Sequence, residues 1–295
     1  MAVRIGINPL TWTNDDLPQL GEQNSLEQCL AEAKLAGYDG VELGRKFPRD
    51  AAVLGPILKR HELRLVSGWY SARLLERSAD EEIAALASHL QLLRKLDSKV
   101  MVFAETSRCV HGDRAVALSR RPRLNDADWT RLCERLDAVG AYLADQGVAL
   151  AYHHHMGTVI ESEEEIDRMM ALTSSAVGLL LDTGHLAFAG GDALRVVDRH
   201  AARIMHMHCK DVRRTELAEA KRRDLSFLDS VLAGAFAVPG DGSIEFAPLL
   251  ERLAARGYRG WLVVEADQDP AKADPLTHAR IGHDCLRPLA RRYWR

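Results

Sequence analysis

The chain has 295 residues, enough for one large or two small domains, and its 47% hydrophobic content supports a sizeable core. Its formal net charge of −3 provides no basic field, which disfavours a nucleic-acid-binding protein. Five scattered cysteines without a CxxC pair, no long apolar run and no signal-peptide core predict a cytoplasmic protein without disulfides or membrane contact.

Short apolar runs alternate with amphipathic stretches along the whole chain. The apolar runs, which we interpret as eight strands, cover residues 3–8, 40–44, 63–70, 99–105, 148–154, 177–182, 203–208 and 261–266. The helical patterns between them cover residues 26–37, 51–61, 81–96, 129–147, 163–173, 193–202, 246–257 and 279–293. Apolar strands joined by helices are typical of a parallel sheet with covered faces. Because the strands number eight and polar residues follow nearly all of them, we predict an α/β fold: one (β/α)8 TIM barrel over residues 1–295.

Two connections are longer than the others. Residues 106–128 follow the fourth predicted strand, and residues 209–245 follow the seventh. Loops of this length in a compact barrel are usually lids or binding loops. Both leave the carboxyl ends of strands, where the catalytic residues of a barrel collect, so we expect them to border a functional site.

Imidazoles and carboxylates lie at the ends of several predicted strands. In RIMHMHCKD, His206 and His208 have the i, i+2 spacing that puts both on one face of a strand. Asp182 closes the apolar strand of LLLDTGH, and Glu265 closes that of LVVEAD, where a carboxylate needs a cation. The alternatives are a helix cap for Asp182, a salt bridge for Glu265 and a hydrogen-bonded position for one of the histidines. The combination favours a site for a divalent metal ion.

The triplet from His153 to His155 offers a further ligand. Strand parity puts His153 and His155 on one side and His154 on the other, so we expect His154 to pack between strand and helix. His153 would complete a set of two histidines and two carboxylates with open positions for a substrate. Glu161 and His206 stay open as alternative fourth ligands, although Glu161 lies beside the acidic start of a helix.

Other polar and aromatic residues near the strand ends are candidates for catalysis or substrate binding. The candidates for proton transfer are His155, His185, Lys46, Glu105 and Lys210. The candidates for substrate contact are Asn8, Trp12, Glu42, Trp69, His206 and Arg213. Each has an ordinary alternative, since tryptophans usually fill the core and most lysines are only ion-paired.

Several segments together resemble one known group of barrels. They are GINPLTWTNDDLP, GVELGRKFP, YHHHMGT, LLLDTGH, RIMHMHCKDVR, SFLDSVLAGAFAVPGDG and GWLVVEADQDPAKADPL. They are similar to the xylose-isomerase-like barrel superfamily and, within it, to the inosose dehydratases, over essentially the whole chain. The combination of YHHHMGT, VPGDG and VEADQDPAKA is the most specific part of this resemblance.

The resemblance implies a set of metal ligands. The superfamily commonly holds a divalent ion with a Glu, Asp, His, Glu set at the ends of the fifth to eighth strands, and Asp182, His208 and Glu265 match the last three. His153 stands where the glutamate is usual, a departure that bears on the fourth ligand and on the choice of metal. The resemblance also implies that His185, three residues after Asp182, contacts the substrate.

The resemblance further implies a reaction: loss of water from a cyclic polyhydroxy ketone, 2-keto-myo-inositol, with Mn2+ or Co2+ as the ion. A base removes the α-proton and an acid protonates the departing hydroxyl. The candidate bases are His155 and Glu105, and the candidate acids are His185, His206, Lys46 and Lys210. The alternatives are a metal-dependent sugar isomerase or epimerase, a multi-metal nuclease, which the net charge opposes, and a sugar-binding barrel without catalysis. A homo-oligomer stays open.

Overall fold

In a computed structural model that describes residues 3–294, eight parallel strands form a closed barrel. Together with two short strands outside the barrel, they are β1 (Arg4–Ile7), β2 (Gly40–Leu43), β3 (Arg64–Ala72), β4 (Val100–Glu105), β5 (Ala149–His153), β6 (Val177–Asp182), β7 (Ile204–Cys209), β8 (Asp211–Val212), β9 (Phe236–Ala237) and β10 (Trp261–Val264). Strands β1 to β7 pair in chain order and β10 lies between β7 and β1, while β8 and β9 form a separate antiparallel ribbon. The predicted barrel is confirmed. Residues 1, 2 and 295, which the predicted domain includes, lie outside the described residues.

Helices cover the outside of the barrel. They are α1 (Leu26–Leu35), α2 (Ala51–Arg60), α3 (Ala79–Lys95), α4 (Asp126–Asp145), α5 (Glu163–Leu172), α6 (Thr183–Ala189), α7 (Ala193–His200), α8 (Arg214–Arg222), α9 (Phe227–Leu232), α10 (Phe246–Ala255) and α11 (Pro275–Tyr293). Many of them begin at a residue whose side chain caps the helix. Ser78 and Ser162, for example, form capping boxes at α3 and α5. Helices α6, α8 and α9 were not predicted. None of the helices in residues 3–294 is both long and apolar enough to cross a membrane.

Side chains alternate along each strand, so they pack either outside the barrel against the helices or inside it. Outward-facing residues such as Ile5, Phe103 and Leu181 pack against the helices in the main hydrophobic core. Inside the barrel, Val102 and Leu180 belong to a small apolar cluster. Toward the carboxyl ends of the strands the buried inward-facing residues become polar, and buried polar groups need partners, so this half of the barrel is where a site can form.

The two long connections pack against each other over one side of the barrel mouth. Residues 209–245 contain α8, α9 and the β8–β9 ribbon rather than an open loop. Their apolar side chains share a second core with the first long connection and with residues after β5 and β6, including Leu118, Met156, Phe188 and Phe227. Backbone N–H of Leu118 donates to the carbonyl of Leu225. We call residues 110–121 together with 211–237 the cap.

Candidate active site

Four buried side chains converge at the carboxyl ends of β5, β6, β7 and β10. The ligand atoms of His153, Asp182, His208 and Glu265 all lie within 4.8 Å of one another. Nδ1 of His208 is 3.2 Å from His153 Nε2, 3.0 Å from Glu265 Oε2 and 3.6 Å from Asp182 Oδ2. The structure therefore brings together the four residues that were selected from the strand ends. Glu161 instead accepts from Gly157 N–H and pairs with Arg121 outside this group.

Hydrogen bonds orient each of these side chains toward the common point. His153 Nδ1 donates to the His154 carbonyl at 2.7 Å, which leaves Nε2 free to ligate. His208 Nε2 faces Glu42, so Nδ1 is the ring nitrogen that points to the other three side chains. Asp182 Oδ1 accepts from the His185 N–H at 2.8 Å and caps α6, while the buried Oδ2 has no hydrogen-bond partner. A buried carboxylate oxygen without a partner is costly, so Oδ2 is suited to a cation. The helix-cap alternative for Asp182 is thus also present, on its other oxygen.

The charges of the site also fit a divalent cation. The site contains four buried carboxyl groups, those of Glu42, Asp182, Glu265 and Asp267. Among the lysines and arginines of residues 3–294, Lys210 pairs with the last three of them. Burial alone would lower the pKa of His208, but Glu265 and Glu42 raise it well above its usual range. The excess negative charge therefore attracts a proton to His208. A divalent ion with nitrogen and oxygen ligands would balance the same charge.

Glu42, Asn8 and His206, which we predicted to contact substrate, are hydrogen-bonded beside the four converging residues. The Glu42 carboxylate accepts from Asn8 Nδ2 at 2.7 Å and contacts His206 Nε2 at 2.8 Å as well as His208. Asn8 Nδ2 also donates to Glu265 at 2.7 Å. Because these polar atoms are bonded to one another and to the candidate ligands, we expect them to orient the ligands. Asn8 and Glu42 also line the cavity that opens above the four residues, so their contact with substrate stays a prediction.

We expect the Glu42→Gln variant to bind Mn2+ about 10–100-fold more weakly than the unmodified protein. The substitution replaces the carboxylate, the anionic group that contacts His208 Nε2, with a neutral amide. The contact that directs Nδ1 toward the ion is therefore weakened. Titration with Mn2+ monitored by electron paramagnetic resonance measures the affinity. Glu161→Gln, which alters a half-buried carboxylate outside the cluster, is the control and should keep its affinity. Equal affinity of both variants would contradict the orienting role.

A cavity of about 290 Å³ opens above the four residues. His155 and Trp69 line it, as do Asp15, Asp16, Ser71, His111 and Asp267, which sequence reasoning missed. His155 Nδ1 donates to the Met156 carbonyl at 2.8 Å, so its Nε2 carries a free lone pair. Burial, His111 and Lys210 hold the pKa of His155 well below its usual range. The imidazole is therefore neutral at pH 7 and can accept a proton.

Lys210 and His185 lie behind the cavity wall. Lys210 is fully buried, with Nζ 2.6 Å from Asp267 Oδ2, 2.7 Å from Glu265 Oε1 and 2.9 Å from His185 Nε2. Burial alone would lower the pKa of Lys210, but Asp182, Asp267 and Glu265 raise it above its usual range. Lys210 therefore stays protonated and cannot act as a base. The His185 ring lies 3.9 Å from that of His155, between centroids.

Three residues that we predicted at the site lie elsewhere. Lys46 Nζ donates to the backbone carbonyls of Gly21, Glu22 and Asn24. Trp12 is fully buried in the main hydrophobic core, where its Nε1 donates to Glu32 at 2.5 Å. Arg213 donates to carbonyls of Gly234 and Phe236 and pairs with Asp241. All three residues lie beyond the ends of the barrel strands β2, β1 and β7, and strand periodicity does not determine the path of a loop.

Glu105, a predicted base, points away from the cavity. It follows Ala104 at the end of β4, and its carboxylate accepts from the backbone N–H groups of Leu74 at 2.5 Å and Ser107 at 2.8 Å. Burial raises its pKa to about 7, against the lowering effect of these hydrogen bonds. Glu105 thus connects the loops after β3 and β4 and has no contact with the four converging residues.

The raised pKa of Glu105 predicts a pH-dependent loss of stability. Between about pH 4.5 and 7 the unfolded chain releases the Glu105 proton while the folded protein keeps it, so the free energy of unfolding falls as pH rises. We expect the unfolding free energy of Glu105→Gln, relative to the unmodified protein, to rise by up to about 3 kcal/mol over this range. Urea denaturation at several pH values measures the difference. The exposed control Glu251→Gln should show no such trend, and a flat profile for Glu105→Gln would refute the prediction.

The fold and the converging polar residues at the strand ends define a barrel enzyme. A family model described as a xylose isomerase-like TIM barrel matches residues 30–289, and the chain belongs to this family. It is 43% identical over 279 residues to the inosose dehydratase of Clostridium perfringens, covering 94% of each chain. It is 51% identical over 290 residues to the rhizopine catabolism protein MocC of Rhizobium meliloti, covering 98% of this chain and 89% of that protein.

A solved structure agrees with this fold. The IOLI protein with a bound zinc atom superposes with a TM-score of 0.67 at 17% identity, covering 99% of each chain. At this identity the likeness concerns the fold alone. The relationship that the sequence motifs indicated is confirmed by the family model and by the full-length inosose dehydratase relatives.

Proposed function

We propose that the protein is a metal-dependent dehydratase that removes water from 2-keto-myo-inositol (scyllo-inosose), giving a trihydroxycyclohexane-1,2-dione in inositol catabolism. Inosose dehydratases related over 94% or more of this chain support a hydro-lyase. The observation that carries the proposal is the group of His153, Asp182, His208 and Glu265 beneath a cavity lined by groups that can bond to a polyol. The five cysteines are free, as in a reducing compartment such as the cytoplasm.

The four converging residues would hold the ion, which we propose to be Mn2+ or Co2+ because the ligands are two imidazoles and two carboxylates. When bound, such an ion polarises a ketone and stabilises the negative charge that develops on its oxygen. Nε2 of His153, Nδ1 of His208 and Oδ2 of Asp182, which point toward one another, are the atoms that fit this role. Asn8, Glu42 and His206 orient them from below.

His155 is the proposed base, because its Nε2 is free and its ring lines the cavity. It would take the proton from the carbon next to the ketone. The departing hydroxyl would receive its proton from Asp267, which lines the cavity and whose pKa burial raises to about 6, while Lys210 and His185 stay behind it. Trp69, whose ring also lines the cavity, offers an apolar face to the cyclohexane ring.

Two alternatives differ from this proposal, one in the substrate and one in the fate of the proton. A rhizopine substrate is favoured by the 51% identity to MocC. A sugar isomerase or epimerase would use the same base but return the proton instead of expelling hydroxide, and the similarity to the L-ribulose 3-epimerase structure, at 18% identity, concerns the fold alone.

The test uses chelator-stripped protein with 2-keto-myo-inositol in D2O, with and without added Mn2+ or Co2+. The dehydratase proposal expects metal-dependent formation of the dione. Exchange of the α-proton without dione, or interconversion of another sugar, would replace it with an isomerase or epimerase. Turnover of a rhizopine in a parallel assay, without turnover of the inosose, would favour the second substrate. Failure to bind any metal would overturn the proposed site.

A further inference from the structure

The Lys210 ammonium lies at the centre of a second group of potential metal ligands. His185, Glu265 and Asp267 offer ligand atoms that lie within 4.8 Å of one another. Lys210 Nζ is 2.9, 2.7 and 2.6 Å from these three side chains, respectively. An ammonium has three hydrogens, so each has one partner. The positive charge of Lys210 therefore occupies the place that a second cation would take.

The surrounding fold accommodates this side chain closely. Thr183 Oγ1 donates to the Lys210 carbonyl at 2.5 Å and accepts from its N–H at 3.0 Å. A Cβ at position 184 would collide with the methylene chain of Lys210, so glycine is required there. The Phe236 ring lies 5.3 Å from Nζ, within reach of a cation–π interaction. Residues of α6 and of β9 in the cap thus fix both the methylene chain and the charge.

The charges explain why this position needs a cation. Glu42, Asp182, Glu265 and Asp267 together carry four negative charges when ionised, in a region shielded from water. One divalent ion and Lys210 offset three of them. Without Lys210, one divalent ion would leave two buried negative charges uncompensated, whereas a second divalent ion would neutralise the group.

We propose that Lys210 is a built-in cation that fills a second metal position and limits the protein to one divalent ion. The proposal rests on the metal site proposed above, with which it shares Glu265: Oε1 faces Lys210 and Oε2 faces His208. A single ion suits the polarisation of one ketone. Because Lys210 takes the second position, the protein cannot hold the two neighbouring ions that bind the attacking and leaving oxygens in the hydrolysis of a phosphodiester.

Metal stoichiometry tests the proposal. The unmodified protein, dialysed against Mn2+ and analysed by inductively coupled plasma mass spectrometry, is expected to hold one ion per chain. Lys210→Ala opens the position and is expected to hold two, with magnetic coupling between them visible in electron paramagnetic resonance. Lys210→Met, which removes the charge but fills the space, and Lys210→Arg, which keeps the charge, are expected to hold one. Lys46→Ala, outside the site, is the matched control and also holds one.

The outcomes separate the two proposals. If the unmodified protein holds no ion, the proposed function fails. If it holds one ion and the folded Lys210→Ala variant also holds one, the proposed function stands and the inference about Lys210 is overturned. Two ions in the unmodified protein would overturn it as well. If Lys210→Ala fails to fold, Lys210→Ser replaces it. The serine hydroxyl can hydrogen-bond to the carboxylates that lose the ammonium, and this variant is also expected to hold two ions. The double variant Lys210→Ala/Asp267→Asn is expected to return to one ion.

Discussion

Replacing Asp182 with Asn should abolish tight metal binding and lower kcat/KM by about 10³-fold or more. The amide keeps an oxygen that can accept the His185 N–H and cap α6, but it loses the charge of Oδ2, which has no hydrogen-bond partner and faces His153 and His208. Metal content after dialysis and dione formation at saturating Mn2+ measure the two effects.

The control for Asp182→Asn is Asp192→Asn. Asp192 caps the next helix, α7, through the same kind of side-chain bond to a backbone N–H, but it lies outside the cluster. Asparagine is as good a helix cap as aspartate, so we expect unchanged metal content and activity. If both variants retain metal and full activity, the assignment of Asp182 as a ligand is wrong. If both lose activity together with secondary structure, the cap rather than the ligand is responsible.

Replacing His155 with Gln should lower kcat by about 10²–10⁴-fold while metal stoichiometry stays at one ion per chain. The proposed base removes a proton from carbon and does not ligate, so the two effects separate. Exchange of the substrate α-proton in D2O reports on the base directly and should fall by the same factor.

His154→Gln provides the comparison for His155→Gln within the same triplet. His154 faces away from the cavity, and its Nε2 accepts from the Asp182 N–H at 3.2 Å, a bond that a glutamine oxygen can make. We expect proton exchange to persist in this variant. Undiminished exchange in His155→Gln would assign the base to another residue of the cavity wall.

The group of four candidate ligands could be predicted because the alternation of side chains along a strand is strict. Side chains alternate along a strand, and a carboxylate or imidazole that ends an apolar strand in a barrel must lie at its carboxyl rim. His153, Asp182, His208 and Glu265 meet for that reason. Asp267 has the same i, i+2 relation to Glu265 and could have been found by the same rule.

The rest of the site lies on loops, which have no such rule. Lys46 and Arg213 follow strands closely in sequence, yet their side chains bind backbone carbonyls of neighbouring loops. Asp16 and His111 reach the cavity from the loops after β1 and β4. Helices α8 and α9 are short and depend on packing within the cap, so their formation follows from tertiary contacts rather than from local propensity.

The cap also connects most of the variable cavity wall to one apolar core. Its segments share that core, so a substitution in one of them disturbs the packing of the others. Leu17, from the connection after β1 that carries Asp15 and Asp16, packs in the same core, and His111 of the cavity lies within the cap. Ser71 instead lies near the end of β3. Selection for a new substrate can therefore alter position 71 alone, whereas changes around positions 15, 16 and 111 also disturb the cap. We expect relatives with different substrates to vary together in the connection after β1 and in the cap.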